Sequence, residues 1–321
     1  MAISKSQQFF ESLWYRPAPW WLWLFLPLQL LLRLVVFTRR LFYKLGVFRS
    51  VKLSKPVVVI GNISVGGTGK TPLAIYLLQW LMEQGYKPGL VTRGYGGTAE
   101  NYPLVMDDDT PPEISGDEPY LIYHRTKARL VVDPVRSRGG QTLIDLGCDI
   151  VICDDGLQHY ALKRDMEVAL IDQSRELGNG WLMPMGPLRE PPTRLEQVQM
   201  TLVNGTDMTL EPQTIKGVGH TQPLTSKFVN GVAAIGNPQR FFDTLIQQGF
   251  EVLPHSFPDH HQYQGADFTD IEGPVVMTEK DAVKCHHFSE DRMYYLPVET
   301  RLTPEAEAAL QRQILNLLQY N

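Results

Sequence analysis

The chain has 321 residues, of which 43% are hydrophobic and 20% are charged, a composition typical of a globular protein with one large domain and a smaller second one. Its formal net charge of −5 argues against nucleic acid as a partner. The odd number of cysteines and the lack of a C-x-x-C pair argue against a disulfide framework and a Cys-rich zinc site, and favour a reducing compartment.

Residues 1–52 differ from the rest because they hold eight Lys or Arg residues and a single acid, Glu11. Within them Trp20–Phe37 forms an apolar run that begins with three tryptophans and is followed by basic residues. Three interpretations stay open: an in-plane or shallow membrane anchor, a single span, or a buried core helix. Arg33 at mid-span argues against spanning, and the tryptophans favour the membrane interface.

The next part of the chain alternates short apolar runs with stretches of helical spacing, which predicts an α/β fold with a doubly wound, mostly parallel sheet of the P-loop NTPase type. The predicted strands here are 56–60, 89–92, 129–132, 149–153, 168–171 and 200–203. The predicted helices are 72–84 and 134–146.

Residues 205–226 are polar and rich in Gly, Pro and Thr, so they are predicted to be a linker or an exposed hairpin. Further strands are predicted at 229–235, 274–278 and 292–296, with helices at 238–248 and 303–318. The expected division is an anchor segment at 1–52, a kinase core at 53–205 and a smaller α/β domain at 206–321. The last helix of that domain is free to pack back on the core.

The segment Ser64–Thr71 reads S-V-G-G-T-G-K-T and stands between a predicted strand and a predicted helix. It matches the P-loop pattern G-x-x-x-x-G-K-[ST] except that Ser64 replaces the first glycine. The glycines let backbone N–H groups turn inward around phosphate oxygens. Lys70 is expected to reach the β and γ phosphates, and the Thr71 hydroxyl to bind Mg²⁺. The predicted ATP site consists of Ser64, Val65, Gly66, Gly67, Thr68, Gly69, Lys70 and Thr71.

Asp154 and Asp155 follow directly after the predicted strand 149–153. In a P-loop protein, a carboxylate at this position is expected to hold Mg²⁺ directly or through water. The alternative is a solvated strand end or a helix cap, and the sequence does not choose between the two aspartates.

Three loops contribute further candidates. Asp117, in the loop G-D-E-P, could orient an acceptor hydroxyl and take its proton, although a surface turn is the alternative. The segment Asp259–Tyr263 holds two histidines suited to proton transfer or to orienting a carboxylate, whereas a zinc site is not expected. Arg93 and Arg189 could pair with phosphate oxygens or be solvated loop charges.

Seven motifs occur in order behind the basic, Trp-rich terminus and together resemble the tetraacyldisaccharide 4′-kinase family of lipid A biosynthesis. They are S-V-G-G-T-G-K-T-P, T-R-G-Y-G, G-D-E-P, D-D-G-L-Q-H, G-P-L-R-E-P, F-P-D-H-H-Q-Y and T-E-K-D. The resemblance covers nearly the whole chain. Leu157 stands where phenylalanine is expected, which is a conservative apolar change.

The resemblance implies transfer of the γ-phosphate of ATP to the 4′-hydroxyl of a tetraacylated glucosamine disaccharide 1-phosphate, with ATP and Mg²⁺ as cofactors. It also implies work at the cytoplasmic face of the bacterial inner membrane, with attachment through the N-terminal segment. We expect a monomer that binds to a membrane surface.

The resemblance also assigns roles to residues. Asp117 becomes the catalytic base, and His260, or alternatively His261, becomes the histidine that supports it. Lys70 is the third catalytic residue. Thr71, Asp154, Asp155 and Glu190 become candidate metal ligands. Arg93, Gln158 and Arg189 become candidate substrate contacts.

The rival interpretation is a membrane-associated regulatory P-loop ATPase. Such proteins carry an early lysine in the loop (K-G-G-x-G-K-T), whereas this chain has Ser64 and Val65 before its glycine pair. Nucleotide hydrolysis without a sugar acceptor would favour this rival.

Overall fold

The computed structural model describes residues 13–15, 19–259 and 261–319. Within these residues, fourteen strands form two sheets. In chain order they are β1 Val57–Gly61, β2 Pro88–Thr92, β3 Leu104–Val105, β4 Arg129–Val132, β5 Ile150–Cys153, β6 Met166–Asp172, β7 Met200–Asn204, β8 Met208–Pro212, β9 Lys216–Gly217, β10 Phe228–Ala233, β11 Glu251–Ser256, β12 Val275–Thr278, β13 Met293–Leu296 and β14 Val298–Leu302.

Eight α-helices connect or cover these strands in the described part of the chain. They are α1 Leu26–Lys44, α2 Lys70–Glu83, α3 Pro112–Ser115, α4 Asp117–Thr126, α5 Arg136–Asp145, α6 Pro238–Gln247, α7 Glu279–Cys285 and α8 Pro304–Gln319. A 3₁₀ segment, Trp20–Phe25, leads into α1.

The larger sheet has nine strands in the order β14-β8-β7-β6-β1-β5-β2-β4-β3. Its centre is parallel, and the edge strands β3 and β14 run antiparallel to their neighbours. The strand β1 lies between β5 and β6 and is buried along its whole length, as expected for a strand covered on both faces. The predicted α/β fold with a mostly parallel sheet is confirmed.

The smaller sheet has five strands in the order β11-β10-β12-β13-β9, and only β9 is antiparallel. The strand β11 was not predicted because it contains Pro254 and several exposed side chains. Proline is tolerated there because β11 is an edge strand.

The segment 205–226 is more ordered than a linker, because β8 and β9 both lie in it. The strand β8 pairs with β14 at the edge of the larger sheet. The predicted domain boundary at residue 205 stays a prediction. The smaller sheet itself is formed only by strands between Lys216 and Leu296.

The last helix, α8, packs on the core of the larger sheet. Leu310 and Ile314 are fully buried in the same cluster as Leu73 and Leu77 of α2. The Tyr76 hydroxyl donates a hydrogen bond of 2.6 Å to Glu307. The C-terminal end of the chain therefore supports the helix that follows the P-loop.

Replacing Leu310 by alanine is expected to lower the free energy of unfolding by about 2–5 kcal/mol, because the change leaves a cavity in a closed core. Urea denaturation measures this loss. Asn316→Ala, at an exposed position of the same helix, is the control and should change stability little. Equal small losses in both variants would contradict the packing of α8.

The apolar N-terminal helix is mostly exposed. Trp20–Lys44 is long and apolar enough to cross a membrane, and only 11% of its most apolar window is buried. The exposed apolar side chains of α1 include Leu28, Leu30, Leu31, Leu34 and Phe37. The interpretation of this run as a buried core helix is therefore wrong.

Candidate active site

The predicted P-loop occupies the turn between β1 and α2. Gly66 and Gly69 have φ values of +104° and +94°, which favour glycine. A Cβ on Gly69 would also lie 2.7 Å from the Met208 side chain and 2.9 Å from the Asn204 amide. Within the described residues no side chain caps the start of α2, so its first amides point into the loop, where anions bind.

Neighbouring groups hold this loop in shape. The Asn204 side chain donates to the Thr68 carbonyl at 3.2 Å, and Asn62 donates to the Gly66 carbonyl at 3.3 Å. The backbone amide of Val65 donates to the Pro187 carbonyl at 2.9 Å. Thr68 Oγ1 is buried and has no hydrogen-bond partner in the described part of the chain. Its hydroxyl can therefore form a hydrogen bond with a ligand.

Lys70 lies beside the second aspartate of the D-D pair. Its Nζ is 3.5 Å from Asp155 Oδ1, and Arg189 NH1 is 3.2 Å from Asp155 Oδ2. Burial by itself would raise the pKa of Asp155, but the charges of Lys70 and Arg189 outweigh it and lower that pKa. The structure therefore joins three predicted site residues in one charged cluster.

Asp154 is in a different environment. It is 1% exposed, and its Oδ1 accepts a hydrogen bond from the Asp155 amide. Burial, followed by the charges of Glu118 and Asp155, raises the pKa of Asp154 to about 7. A buried carboxylate near two others is a site that a cation would stabilise.

Glu190 follows Arg189 in the chain and is 1% exposed. Gln158 Nε2 donates to Glu190 Oε2 at 2.9 Å and to the Asn62 carbonyl at 3.0 Å. The Tyr160 hydroxyl donates to the other carboxylate oxygen. Burial and Glu190 raise the pKa of Tyr160 to about 12, so Tyr160 stays a donor. Gln158 thus ties Glu190 to the strand end that leads into the P-loop.

Asp117 was predicted to lie in a loop, and this prediction is wrong, because Asp117 is the first residue of α4. The helix begins there because acidic residues favour a helix N-terminus and because Pro119 is tolerated in a first turn. The residue is 8% exposed, and Asp117 Oδ2 is 3.5 Å from Nζ of Lys284. Placement on a helix end fixes the carboxylate more firmly than a loop would.

The T-E-K-D segment begins α7, which packs on α4 and links the smaller sheet to this site. Lys280 pairs with Glu118 at 2.9 Å, and Arg125 pairs with Glu279 at 2.8 Å. Neither Lys280 nor Lys284 of α7 was predicted as a site residue, although the T-E-K-D motif was an available signal for Lys280.

The loop T-R-G-Y-G-G packs against the segment before Asp117. A Cβ on Gly94 would lie 2.8 Å from the Ser115 carbonyl, and one on Gly97 would lie 2.5 Å from the Ile114 carbonyl.

Burial and the charges of four arginines, among them Arg136 and Arg93, lower the pKa of His159 to about 4. The charge of Arg93 therefore acts on His159 of the D-D-G-L-Q-H segment, and the role of Arg93 as a substrate contact stays a prediction.

The second histidine of the predicted pair has a structural partner. His261 Nε2 lies 2.9 Å from Asp267 Oδ2, and its ring stacks on Phe257. His260 lies outside the described residues, so its predicted role stays a prediction. Asp259 lies near the P-loop: a Cβ on Gly236 would be 3.8 Å from Asp259 Oδ2 and 3.5 Å from the Gly67 amide nitrogen.

Arg175 is a P-loop neighbour that sequence reasoning missed. Its guanidinium donates to the Gly236 carbonyl, and a Cβ on Gly66 would lie 2.8 Å from Arg175 NH1. Nothing in the segment D-Q-S-R-E-L marks it as special, because its position depends on the approach of the smaller sheet. The P-loop thus meets Asp155 through Lys70, and the charge of Glu118, next to Asp117, acts on Asp154, an arrangement suited to phosphoryl transfer.

Comparison with known proteins agrees with this chemistry. A family model described as tetraacyldisaccharide-1-P 4′-kinase matches residues 21–319. The tetraacyldisaccharide 4′-kinase of Psychromonas ingrahamii is 47% identical over 94% of this chain and 97% of its own length. The protein of the same name from Tolumonas auensis is 44% identical over 96% of this chain and 98% of its own.

The fold also matches a solved structure, that of LpxK from Aquifex aeolicus in complex with ATP. The TM-score is 0.77 at 25% sequence identity, over 92% of this chain and 98% of that one. The likeness therefore extends over both sheets.

Proposed function

The chain belongs to the tetraacyldisaccharide-1-P 4′-kinase family, and from that premise we propose which of its residues carry out the reaction. It is an ATP-dependent kinase of lipid A biosynthesis that phosphorylates the 4′-hydroxyl of tetraacyldisaccharide 1-phosphate. The observation that carries the proposal is the meeting of the P-loop, the Lys70–Asp155–Arg189 cluster and buried Asp117 at the edge where β1, β2 and β5 end.

The backbone amides of residues 64–71 bind the β and γ phosphates, with Lys70 and Arg189 close enough to neutralise them. The acceptor oxygen attacks the γ-phosphorus as the bond to the β–γ bridging oxygen breaks, and ADP leaves with that electron pair. Asp117 takes the proton of the hydroxyl and becomes neutral. Arg93 and Gln158 contact the sugar or its phosphate.

The residues fit Mg²⁺. Asp154 is buried beside Glu118 and Asp155, and the cations Lys70 and Arg189 pair with Asp155, so Asp154 is the carboxylate left to attract a cation. Thr71 and Asp154 would hold the ion, with Asp155 and Glu190 as further ligands, and Mg²⁺ commonly uses few carboxylates together with phosphate and water. An ion held by these residues would supply positive charge that offsets the charge of the transferred phosphoryl group.

We further propose that α1 attaches the enzyme to the cytoplasmic face of the inner membrane. The end of α1 adjoins the site: Arg40 contacts Gln197, and the Arg39 guanidinium lies 5.8 Å from the Tyr160 ring centroid. Tyr160 in turn holds Glu190. An acceptor whose acyl chains stay in the bilayer would therefore present its sugar at the height of the site.

Replacing Leu30 and Leu34 together by serine is expected to weaken binding to vesicles of phosphatidylethanolamine and phosphatidylglycerol by at least about tenfold, because less apolar surface enters the bilayer. Vesicle co-sedimentation measures this binding. The matched control is the double variant Ile246→Ser with Leu253→Ser, at two exposed positions in α6 and β11, and it should bind vesicles as the unchanged protein does. Equal binding by both double variants would contradict attachment through α1.

The function is tested by transfer of label from γ-labelled ATP to the tetraacyldisaccharide 1-phosphate, with and without the acceptor. We expect a labelled lipid and little release of inorganic phosphate when the acceptor is omitted. Rapid acceptor-independent hydrolysis with no labelled lipid would instead favour the regulatory ATPase.

A further inference from the structure

Lys284 is a lysine of α7 whose side chain is only 2% exposed. Its Nζ lies 3.2 Å from Asp281 Oδ1 and 3.5 Å from Asp117 Oδ2, and it faces the Tyr263 ring at 5.6 Å. A buried ammonium is costly unless it is paired, and here two carboxylates from different helices pair with it.

Asp281, the inner of the two carboxylates, is independently fixed. It is fully buried, and its Oδ2 accepts hydrogen bonds from the Ala234 amide at 3.0 Å and from the Thr278 hydroxyl at 2.6 Å. The Lys284 contact uses the other oxygen, Oδ1. Asp281 is therefore a rigid counter-ion that holds the ammonium in place, facing Asp117.

We infer that Lys284 is a positioning residue for phosphoryl transfer, an inference that rests on the proposed role of Asp117 as the base. The ammonium orients the Asp117 carboxylate at the start of α4. Because α7 follows β12, the contact also makes the geometry of the base depend on the docking of the smaller sheet. Lys284 takes no proton: the hydroxyl proton goes to Asp117, and Lys284 stays paired with Asp281.

The other ion pairs between α7 and α4 allow positioning to be separated from simple attachment. Arg125 and Glu279 join the same two helices through two hydrogen bonds of 2.8 and 3.1 Å. That pair lies at the far end of α4 from Asp117. Arg125→Met thus removes an interhelical ion pair without touching the base, and it is the matched control for Lys284→Met.

The experiment measures kcat, the KM for ATP and for the lipid disaccharide, and the midpoint of thermal unfolding for the full-length protein. For Lys284→Met we expect kcat to fall by about a hundredfold, as for a misplaced catalytic group, with both KM values changed less than about threefold. Lys284→Arg should recover part of the loss, and Arg125→Met should keep kcat while losing some thermal stability. Should the methionine variant fail to fold, Lys284→Gln, which can still donate to Asp281, replaces it.

A double-mutant cycle decides whether Lys284 acts through Asp117. In an Asp117→Asn background, Lys284→Met should cause no further loss of kcat. Full additivity of the losses of kcat from Lys284→Met and Asp117→Asn would overturn the inference. Losses of kcat and of thermal stability that are equal in Lys284→Met and Arg125→Met would also overturn it. Normal kcat in Asp117→Asn alone would instead refute the proposed base, so the two failures are distinguishable.

Discussion

Alanine in place of Lys70 is expected to lower kcat for phosphoryl transfer by about a thousandfold, the scale for losing a cation aimed at transition-state phosphate charge. Lys70 begins α2 and is held beside the P-loop by Asp155. Its charge is therefore already oriented when ATP binds, and alanine removes it without altering the glycines that shape the loop.

The measurement is the rate of label transfer from ATP at saturating lipid acceptor. Lys87→Ala removes an exposed lysine just before β2 and should leave the rate unchanged. Near-normal turnover by Lys70→Ala would contradict the assignment of the P-loop. Lys70→Arg should recover little, because a planar guanidinium does not replace a compact ammonium in a tight loop.

The second large effect is expected at Asp117. Asp117→Asn keeps the shape of the side chain but cannot accept the hydroxyl proton, so kcat should fall by between about 10² and 10⁴. The KM for ATP should change little, because the phosphates are bound by the P-loop. Steady-state kinetics at saturating ATP and lipid measures both quantities.

Asp109→Asn, at an exposed position before α3, is the control for Asp117→Asn. A thermal melt accompanies the assay, because the substitution also removes a charge that pairs with Lys284. A large rise in the KM for ATP with unchanged kcat would place Asp117 in nucleotide binding rather than proton transfer.

The site depends on contacts between the two sheets. Arg240 of α6 donates to Asp172 at 3.1 Å and to Asn204 at 3.2 Å, and Asn204 holds the Thr68 carbonyl. On the other side, α7 contacts Asp117 and Glu118. The smaller sheet therefore supports both the nucleotide loop and the proposed base, Asp117. Substitutions in the smaller sheet are accordingly expected to affect catalysis.

The sequence by itself determined the parts of this protein that depend on local pattern. The P-loop, the D-D pair after β5 and nine of the strands could be read from glycine spacing and apolar runs, because neighbours along the chain set those features. The strands β8, β11 and β14, which lie at or next to a sheet edge, were missed because pairing, not propensity, makes them strands.

Only the tertiary structure decided which charges meet. Asp117 begins a helix, Lys284 lies against it from 167 positions further along the chain, and Arg175 reaches Gly236 from across the P-loop. Ion pairs of this kind depend on the direction and depth of side chains on separate elements, which no spacing in the sequence encodes. The chemistry could therefore be predicted from motifs, whereas the arrangement that supports the base required the fold.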